Sequence, residues 1–271
     1  MTNTRKRGEK PCNANYRNDL SFNVRLNVLT LRPIGSWPRS CDYSWLETIE
    51  HAFLNVLGCA LLAFILIPGF MCFALEIADF YDQMKLGSAL SFFLMALIKY
   101  CVFVIREADI RTCVNLIEDD WRNVKHEEDR KIMLHNASFC RRLIAICGAF
   151  MYGGVVFYYI ALPLTRPKIV EEGGNLTYTG LVYPFPRILA DARRSPVNEI
   201  LYTVQLLSGF IAHNITVAAC GLAALLAMHA CGQLQVLMSW LDKLVDGREN
   251  NVESLDQRLA NIVEQHVRII K

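Results

Sequence analysis

Long apolar runs separated by charged segments are the main feature of this sequence. The longest run covers residues 200–228 and contains no Asp, Glu, Lys or Arg. As a helix it would be about 43 Å long, which exceeds the roughly 30 Å hydrocarbon thickness of a bilayer. Shorter runs cover residues 52–75, 87–105 and 143–162. The pattern predicts an all-α membrane protein with four transmembrane helices plus the start of a fifth helix.

Helical spacing of apolar residues continues beyond the fourth run. It extends through residues 234–244, so we expect the fourth span to continue as a helix into an aqueous compartment. A further amphipathic helix is predicted to begin near Glu253, and its apolar face carries Leu255, Leu259, Ile262, Val263 and Ile270. The sequence ends at Lys271 within this pattern and shows no helix stop signal, which favours a C-terminally truncated chain.

These runs divide the chain into three predicted domains. Residues 1–48 form an N-terminal segment, residues 49–230 a four-span transmembrane domain, and residues 231–271 a helical extension with the start of the next helix. Within the first segment, residues 1–19 are polar and basic. Residues 20–31 alternate apolar and polar positions, a pattern ambiguous between a strand and an amphipathic helix, and we expect this segment to lie at the membrane interface.

The distribution of Lys and Arg predicts the orientation in the membrane. With a cytoplasmic N-terminus, the inner segments 1–48, 106–142 and 231–271 carry 8, 8 and 5 of these residues. The outer segments 76–86 and 163–199 carry 1 and 5. The balance of 21 inside to 6 outside follows the positive-inside rule, and the inner segment 106–142 also shows helical periodicity.

Two further features agree with this orientation. Asn175 begins an N-glycosylation sequon in the long outer segment, whereas the sequons at Asn136 and Asn214 fall inside the cell and within a span. None of the ten cysteines lies in an outer segment, so a disulfide framework is not expected.

The sequence offers little catalytic chemistry. It contains no Gly-rich phosphate loop, Cys-x-x-Cys pair, His-Glu-x-x-His or Gly-x-Ser-x-Gly motif, so no enzyme activity and no cofactor are predicted. The acidic clusters 118–120 and 126–129 are interleaved with Lys and Arg, which favours a solvated helix over a metal site. A net charge of +2 gives no reason to expect a nucleic-acid partner.

Three spans carry candidate ligand-binding residues in their predicted outer halves. Each group mixes apolar surface with sparse hydrogen-bonding groups, as ligand pockets do. The groups are Phe92, Phe93, Met95 and Ala96 in the second span; Met151, Gly154, Val155 and Tyr158 in the third; and Tyr202, Gln205, Leu206, Gly209 and His213 in the fourth. Ordinary helix packing, with His213 satisfied by a polar neighbour, is the alternative.

Short motifs in order along the chain resemble those of insect odorant receptors, in particular the expansion found in ants, bees and wasps. The motifs are Gly35, Trp37 and Pro38; Ile117 to Trp121 with Arg130, Met133 and Arg141; Tyr183 and Pro184 with Ser195 and Pro196; Glu199, Tyr202 and Gln205; and His229 to Gln233. Each motif is weakly specific, but the series covers nearly the whole chain.

The resemblance implies a seven-helix subunit of a ligand-gated cation channel, assembled with an odorant receptor co-receptor in the plasma membrane of a sensory neuron dendrite. It implies a small hydrophobic odorant bound in the outer half of the bundle, between helices two, three, four and six. The seventh helix would line the pore. With four spans and part of a fifth helix, this sequence corresponds to roughly two thirds of a family member and lacks the pore helix.

Other classes of membrane protein remain as alternatives. A gustatory receptor of the same superfamily would share the orientation. A transporter is also compatible with four spans, although no internal repeat relates them. A G-protein-coupled receptor would need an external N-terminus, which the charge distribution contradicts.

Overall fold

The computed structural model describes residues 12–37, 45–165, 169–170, 177–178, 180–246 and 255–270. Several parts of the chain named above lie outside these ranges: residues 1–11 of the N-terminal segment, Pro38, the sequon residue Asn175, Glu253 and Lys271. What the sequence predicts for them stays a prediction.

Four long helices are long and apolar enough to cross a membrane. They are α2 (Trp45–Leu75), α3 (Phe80–Ile105), the helical stretch that begins with α5 (Glu127–Val155), and α7 (Val197–Asp246). After α5 the chain continues through a π-helical turn (Val156–Ala161) and α6 (Leu162–Thr165). Each predicted apolar run falls within one of these helical stretches. The predicted all-α membrane fold is therefore confirmed, whereas the orientation and the domain boundaries stay predictions.

Helix α7 contains 50 residues. At 1.5 Å per residue it is about 75 Å long, more than twice the hydrocarbon thickness of a bilayer. The helix therefore continues well beyond any membrane span, as the spacing of residues 234–244 predicts. Helix α8 (Leu255–Ile270) follows it, and along α8 Ile262 is buried while Leu259 and Val263 are exposed.

The shorter elements settle the segments whose pattern was ambiguous. Residues 20–31 lie in α1 (Tyr16–Leu31), so the strand alternative is wrong. The charged connection between the second and third spans is helical and forms α4 (Glu107–Asn123). Strands β1 (Ile169–Val170) and β2 (Thr177–Tyr178) form a two-residue antiparallel ladder.

Two compact units make up the chain. Unit 1 takes the described residues of Met1–Asn27, Arg111–Ile144 and Gly221–Lys271, and unit 2 those of Val28–Ile110 and Ala145–Cys220.

Charged pairs and buried amides hold unit 1 together. Arg130 donates two hydrogen bonds to the carboxylate of Asp19, from Nε to Oδ2 at 2.7 Å and from Nη2 to Oδ1 at 2.9 Å. The indole Nε1 of Trp240 donates to the carboxylate of Asp129, and Nδ2 of Asn136 donates to Oε1 of Gln235 at 2.7 Å. These bonds connect α1 to α5 and α5 to α7.

Unit 2 is held by close helix contacts and by polar groups inside the bundle. The Tyr100 hydroxyl donates to the Ile34 carbonyl at 2.9 Å, and the ring of Tyr100 is fully buried. Asn214 donates from Nδ2 to the Thr30 carbonyl at 2.8 Å and accepts from the Tyr152 hydroxyl at 2.7 Å. Because buried polar groups are costly unless they are paired, these bonds fix how the helices meet.

Candidate functional site

Aromatic and polar side chains from three helical stretches and one connection meet at one place in unit 2. The connection is the described stretch 180–196 that precedes α7. We call this group the aromatic cluster; its members are Phe92, Phe93, Tyr159, Tyr183, Gln205, Gly209 and His213.

The side chain of Gln205 forms hydrogen bonds with the backbone of the connection. Its side chain is fully buried on α7, where Nε2 donates to the Tyr183 carbonyl at 2.9 Å and Oε1 accepts from the Tyr183 N–H at 3.1 Å. One amide side chain thus satisfies both backbone groups of a single loop residue. This pairing explains why a glutamine is tolerated in the middle of an apolar run.

Tyr183 places its side chain among the aromatic rings of the helices. Its hydroxyl oxygen lies 2.9 Å from that of Tyr159, and its ring meets that of Phe93 edge-on with centroids 5.4 Å apart. Edge-to-face contacts of this kind are the favoured geometry for aromatic pairs. Burial raises the pKa of the Tyr183 hydroxyl, which therefore stays neutral and able to donate or accept.

Tyr159 lies in the π-helical turn and packs against a glycine of α7. A Cβ atom at Gly209 would overlap the Tyr159 ring, so the glycine makes room for the tyrosine. The Tyr202 hydroxyl donates a hydrogen bond to the Tyr159 carbonyl, which is part of the same turn. Single π-helical turns occur frequently at functional sites, and here the turn places a fully buried aromatic residue within the cluster.

His213 completes the cluster one turn after Gly209. Its Nδ1 lies 2.7 Å from the Gly209 carbonyl oxygen, an atom that can only accept, so Nδ1 carries the proton. The imidazole ring is 4.7 Å from the Phe92 ring and 6.4 Å from the Tyr159 ring, measured between centroids. The cluster therefore combines aromatic surface with one imidazole, one amide and two phenol groups.

Beyond Tyr183, the connection is also attached to α2 and to Glu76, the residue directly after α2. The ring of Phe185 lies 5.9 Å from that of Phe64, and the Arg187 N–H donates to Oε1 of Glu76 at 3.3 Å. The segment 183–187 is thus held at two places in unit 2, by Gln205 and by α2.

The structure brings together only part of the predicted site. The cluster contains the predicted residues Phe92, Phe93, Gln205, Gly209 and His213, and Tyr202 supports it through the Tyr159 carbonyl.

The other predicted residues lie differently. The Met95 and Tyr158 side chains are exposed by 52% and 58%, Met151 is half-buried, and a Cβ at Gly154 would meet open space. Their role in ligand binding stays a prediction, as does that of the whole set.

The π-helical turn explains why the sequence pattern selects Tyr158 and misses Tyr159. An α-helical period places residue 158 near residues 151 and 155. Bonds from i to i+5 widen the turn, which rotates Tyr158 away from Val155 to an exposed position, whereas Tyr159 stays on the buried side with Val155. Tyr183 was also missed as a site residue, because no periodicity places a loop residue among helices; its only signal was the Tyr183–Pro184 motif.

Acidic residues of the two clusters 118–120 and 126–129 form ion pairs with basic side chains. Glu127 pairs with Arg130, Glu128 with Lys243, and Asp120 with His229 at 2.9 Å. Within the described residues, His, Cys, Asp and Glu side chains form no group of three suited to a metal ion.

Comparisons with known proteins connect this geometry to a family. A family model described as 7tm Odorant receptor matches residues 83–271. The structure is similar to the insect olfactory receptor OR5 from Machilis hrabei in complex with eugenol, at 17% identity and a TM-score of 0.69. It is also similar to a second structure of that receptor, at 18% identity and a TM-score of 0.68. Each comparison covers 94% of this chain and 64% of the receptor chain. No curated protein matches the sequence.

The match to the family model covers more than half of the chain, and the similar structures share its helical fold. The family consists of multi-pass membrane receptors and not of enzymes. The sequence motifs, the four candidate spans and the family match agree: the chain belongs to the 7tm odorant receptor family.

Proposed function

We propose that this chain is the ligand-binding part of an odorant receptor subunit that gates a cation channel together with a co-receptor in the plasma membrane, as expected for a sensory neuron dendrite. The ligand is a small, mostly apolar volatile molecule that binds at the aromatic cluster. The single observation that carries this proposal is Gln205, a fully buried polar side chain among aromatic rings in a family of odorant receptors.

The chemistry of the cluster suits such a ligand. Small-molecule sites are mostly apolar and carry a few placed polar groups that fix orientation. The cluster offers the rings of Phe92 and Phe93 for apolar contact, and the hydroxyl of Tyr159 for one hydrogen bond. The similar OR5 receptor has been solved in complex with eugenol, which supports a ligand-binding role for this fold.

Gating follows from a difference in affinity between two states. An odorant that binds the open state more tightly than the closed state shifts the equilibrium towards opening. The chain spans 64% of the length of the OR5 receptor that it matches, so conduction is assigned to the complete, assembled receptor.

The test is an odorant-evoked current from a full-length receptor containing this chain, co-expressed with its co-receptor. Gln205→Leu is compared with Thr203→Ala, which alters an exposed position on the same helix. We expect Gln205→Leu to shift half-maximal odorant concentrations at least tenfold, the equivalent of about 1.4 kcal/mol, at unchanged surface expression. Thr203→Ala should respond like the wild type. Equal responses of all three receptors would contradict the proposed site.

Met95→Ala and Tyr158→Ala in the same receptor test the residues that lie outside the cluster. If the site extends over their exposed side chains, both variants will shift the response without loss of surface expression. Wild-type responses would limit the site to the aromatic cluster.

A further inference from the structure

Tyr183 occupies the centre of the aromatic cluster although it belongs to a connection and not to a helix. Its ring contacts Phe93 on α3, its hydroxyl meets Tyr159 in the π-helical turn, and its backbone is held by Gln205 on α7. One loop residue therefore touches all three helical stretches that form the proposed ligand site.

We propose that the Tyr183 side chain is a tethered occupant of this site, and that a ligand binds by displacing it. The inference rests on the proposed function, because it concerns the same site. It also specifies the ligand class: a small monocyclic aromatic molecule with a hydroxyl group, since such a molecule reproduces the ring and the hydrogen bond that Tyr183 provides.

The contacts of Tyr183 can be exchanged for those of a ligand. They are an edge-to-face ring contact and one hydroxyl–hydroxyl hydrogen bond, both between neutral groups. A free phenol can make both of them in the same place. Tyr183 is half-buried, so part of its side chain is accessible from outside unit 2, unlike the fully buried ring of Tyr159.

The connection stays attached when the side chain leaves. Phe185 packs on Phe64, and the Arg187 N–H donates to Glu76, both independently of the Tyr183 ring. Displacement would therefore rearrange residues 180–184 without releasing the whole connection. Ligand occupancy and the position of this segment would be linked.

The first test is replacement of the lost side chain by a free molecule. The chain is reconstituted in lipid nanodiscs as the wild type, as Tyr183→Ala, and as Tyr81→Ala, which removes a tyrosine that is 73% exposed on α3. The probe is 4-methylphenol, which matches the tyrosine side chain, and toluene is its counterpart without the hydroxyl. Binding is measured by saturation-transfer NMR.

We expect Tyr183→Ala to bind 4-methylphenol at least tenfold more tightly than the wild type, because the tethered competitor is gone. The affinity for toluene should increase less, because toluene cannot form a hydrogen bond with the Tyr159 hydroxyl. Tyr81→Ala should bind 4-methylphenol with the affinity of the wild type. Equal affinities of the wild type and Tyr183→Ala for 4-methylphenol would overturn the inference.

A second measurement keeps Tyr183 in place and follows the connection. Val182→Cys introduces a thiol into the segment 180–184 that displacement would rearrange, and the sequence has no cysteine between Cys147 and Cys220. Its reaction with a membrane-impermeant maleimide should become at least threefold faster at saturating 4-methylphenol. In the double variant Val182→Cys, Tyr183→Ala the rate should be equally fast without 4-methylphenol. A rate in the single variant that 4-methylphenol does not change would overturn displacement even if Tyr183→Ala fails to fold.

The outcomes separate this inference from the proposed function. Suppose that odorant binding depends on Gln205, but Tyr183→Ala leaves the affinity for 4-methylphenol unchanged and 4-methylphenol leaves the labelling rate unchanged. The proposal that Tyr183 is a tethered occupant is then wrong, and the proposed ligand site stands. If neither the wild type nor Tyr183→Ala binds any member of an odorant panel or 4-methylphenol, both proposals fail.

Discussion

The ring of Tyr159 packs directly against the backbone of Gly209, so closely that a Cβ on the glycine would overlap the ring. The tyrosine belongs to the π-helical turn that follows α5, and the glycine lies in the middle of α7. The absence of one side chain on α7 therefore allows a fully buried aromatic ring to lie between two helices, next to Tyr183 and His213.

This relationship predicts that Gly209→Ala destabilises unit 2. Alanine favours a helix by up to about 1 kcal/mol over glycine, but overpacking typically costs about 1–3 kcal/mol. We expect a net loss, seen as a lower melting temperature of the detergent-solubilised chain. The matched control is Gly153→Ala, where a Cβ meets nothing within 4 Å, and there the melting temperature should be unchanged or higher. Equal behaviour of the two variants would contradict the close contact.

The Tyr202 hydroxyl predicts a second effect at the same turn. Tyr202→Phe removes the hydrogen bond to the Tyr159 carbonyl and leaves the ring in place. We expect a loss of about 1 kcal/mol of stability, the usual net contribution of a hydrogen bond, together with a changed odorant response in the full-length receptor. Tyr158→Phe alters an exposed hydroxyl one residue from Tyr159 and should keep wild-type stability. Thermal unfolding of the two variants side by side measures both effects. A larger loss of stability in Tyr158→Phe than in Tyr202→Phe would contradict the hydrogen bond between Tyr202 and the Tyr159 carbonyl.

The ion pair between Arg130 and Asp19 predicts an acid dependence for unit 1. Hydrogen bonding from Arg130 lowers the pKa of Asp19 below its usual value of about 3.9. A lowered folded-state pKa adds stability that is present above the unfolded-state pKa and is lost as the pH falls through the folded-state pKa. Stability should therefore be insensitive to Asp19 near pH 7 and decline below about pH 4.

Asp19→Asn tests this dependence. At pH 7 it should lose about 1.5–3 kcal/mol, because one partner of a bidentate, mostly buried pair is removed, and its own decline below pH 4 should be shallower than that of the wild type. Glu127→Gln removes an exposed partner of the same arginine and should cost less than about 1 kcal/mol. Denaturant unfolding between pH 3 and pH 7 measures both. Parallel pH profiles for Asp19→Asn and the wild type would show that the pair contributes nothing.

The sequence predicts the spans of this chain well because each one is a long apolar run that contains at most one charged residue, Lys99 in residues 87–105. The span in residues 200–228 lies within α7, and the helical spacing after it is continued to Asp246. Periodicity also places Gln205, Gly209 and His213 on one face, because α7 is a regular α-helix there. Where the helix is regular and apolar, spacing alone locates side chains.

The sequence could not predict the features that depend on irregular backbone or on long-range pairing. The π-helical turn rotates Tyr158 away from the buried side, on which Tyr159 lies, and regular α-helical spacing does not anticipate such a turn. Helix α1 buries Asp19, Asn23 and Asn27 together with Val24 and Leu31, while Phe22 and Leu29 are exposed, so polar and apolar residues share its buried side. The burial of Asp19 depends on pairing at a distance, with Arg130, which lies 111 positions away in the sequence.

The structure shows that two of the three sequon asparagines are buried. Asn136 is buried and bonded to Gln235, and Asn214 is buried and bonded to the Thr30 carbonyl. A glycan needs an accessible amide nitrogen, so neither residue is available in the folded chain. The charge distribution predicts that the segment with the Asn175 sequon lies outside the cell.

An odorant from outside the cell can reach the proposed ligand site only if the connection before α7 faces outside. The most direct measurement is therefore glycan mapping of this chain expressed with microsomes, with the wild type beside Asn175→Gln and Asn136→Gln, before and after endoglycosidase. We predict a single mobility shift that Asn175→Gln abolishes and Asn136→Gln leaves intact, with the N-terminus inside. A shift that depends on Asn136 would invert the topology, place the aromatic cluster on the cytoplasmic side and contradict the account.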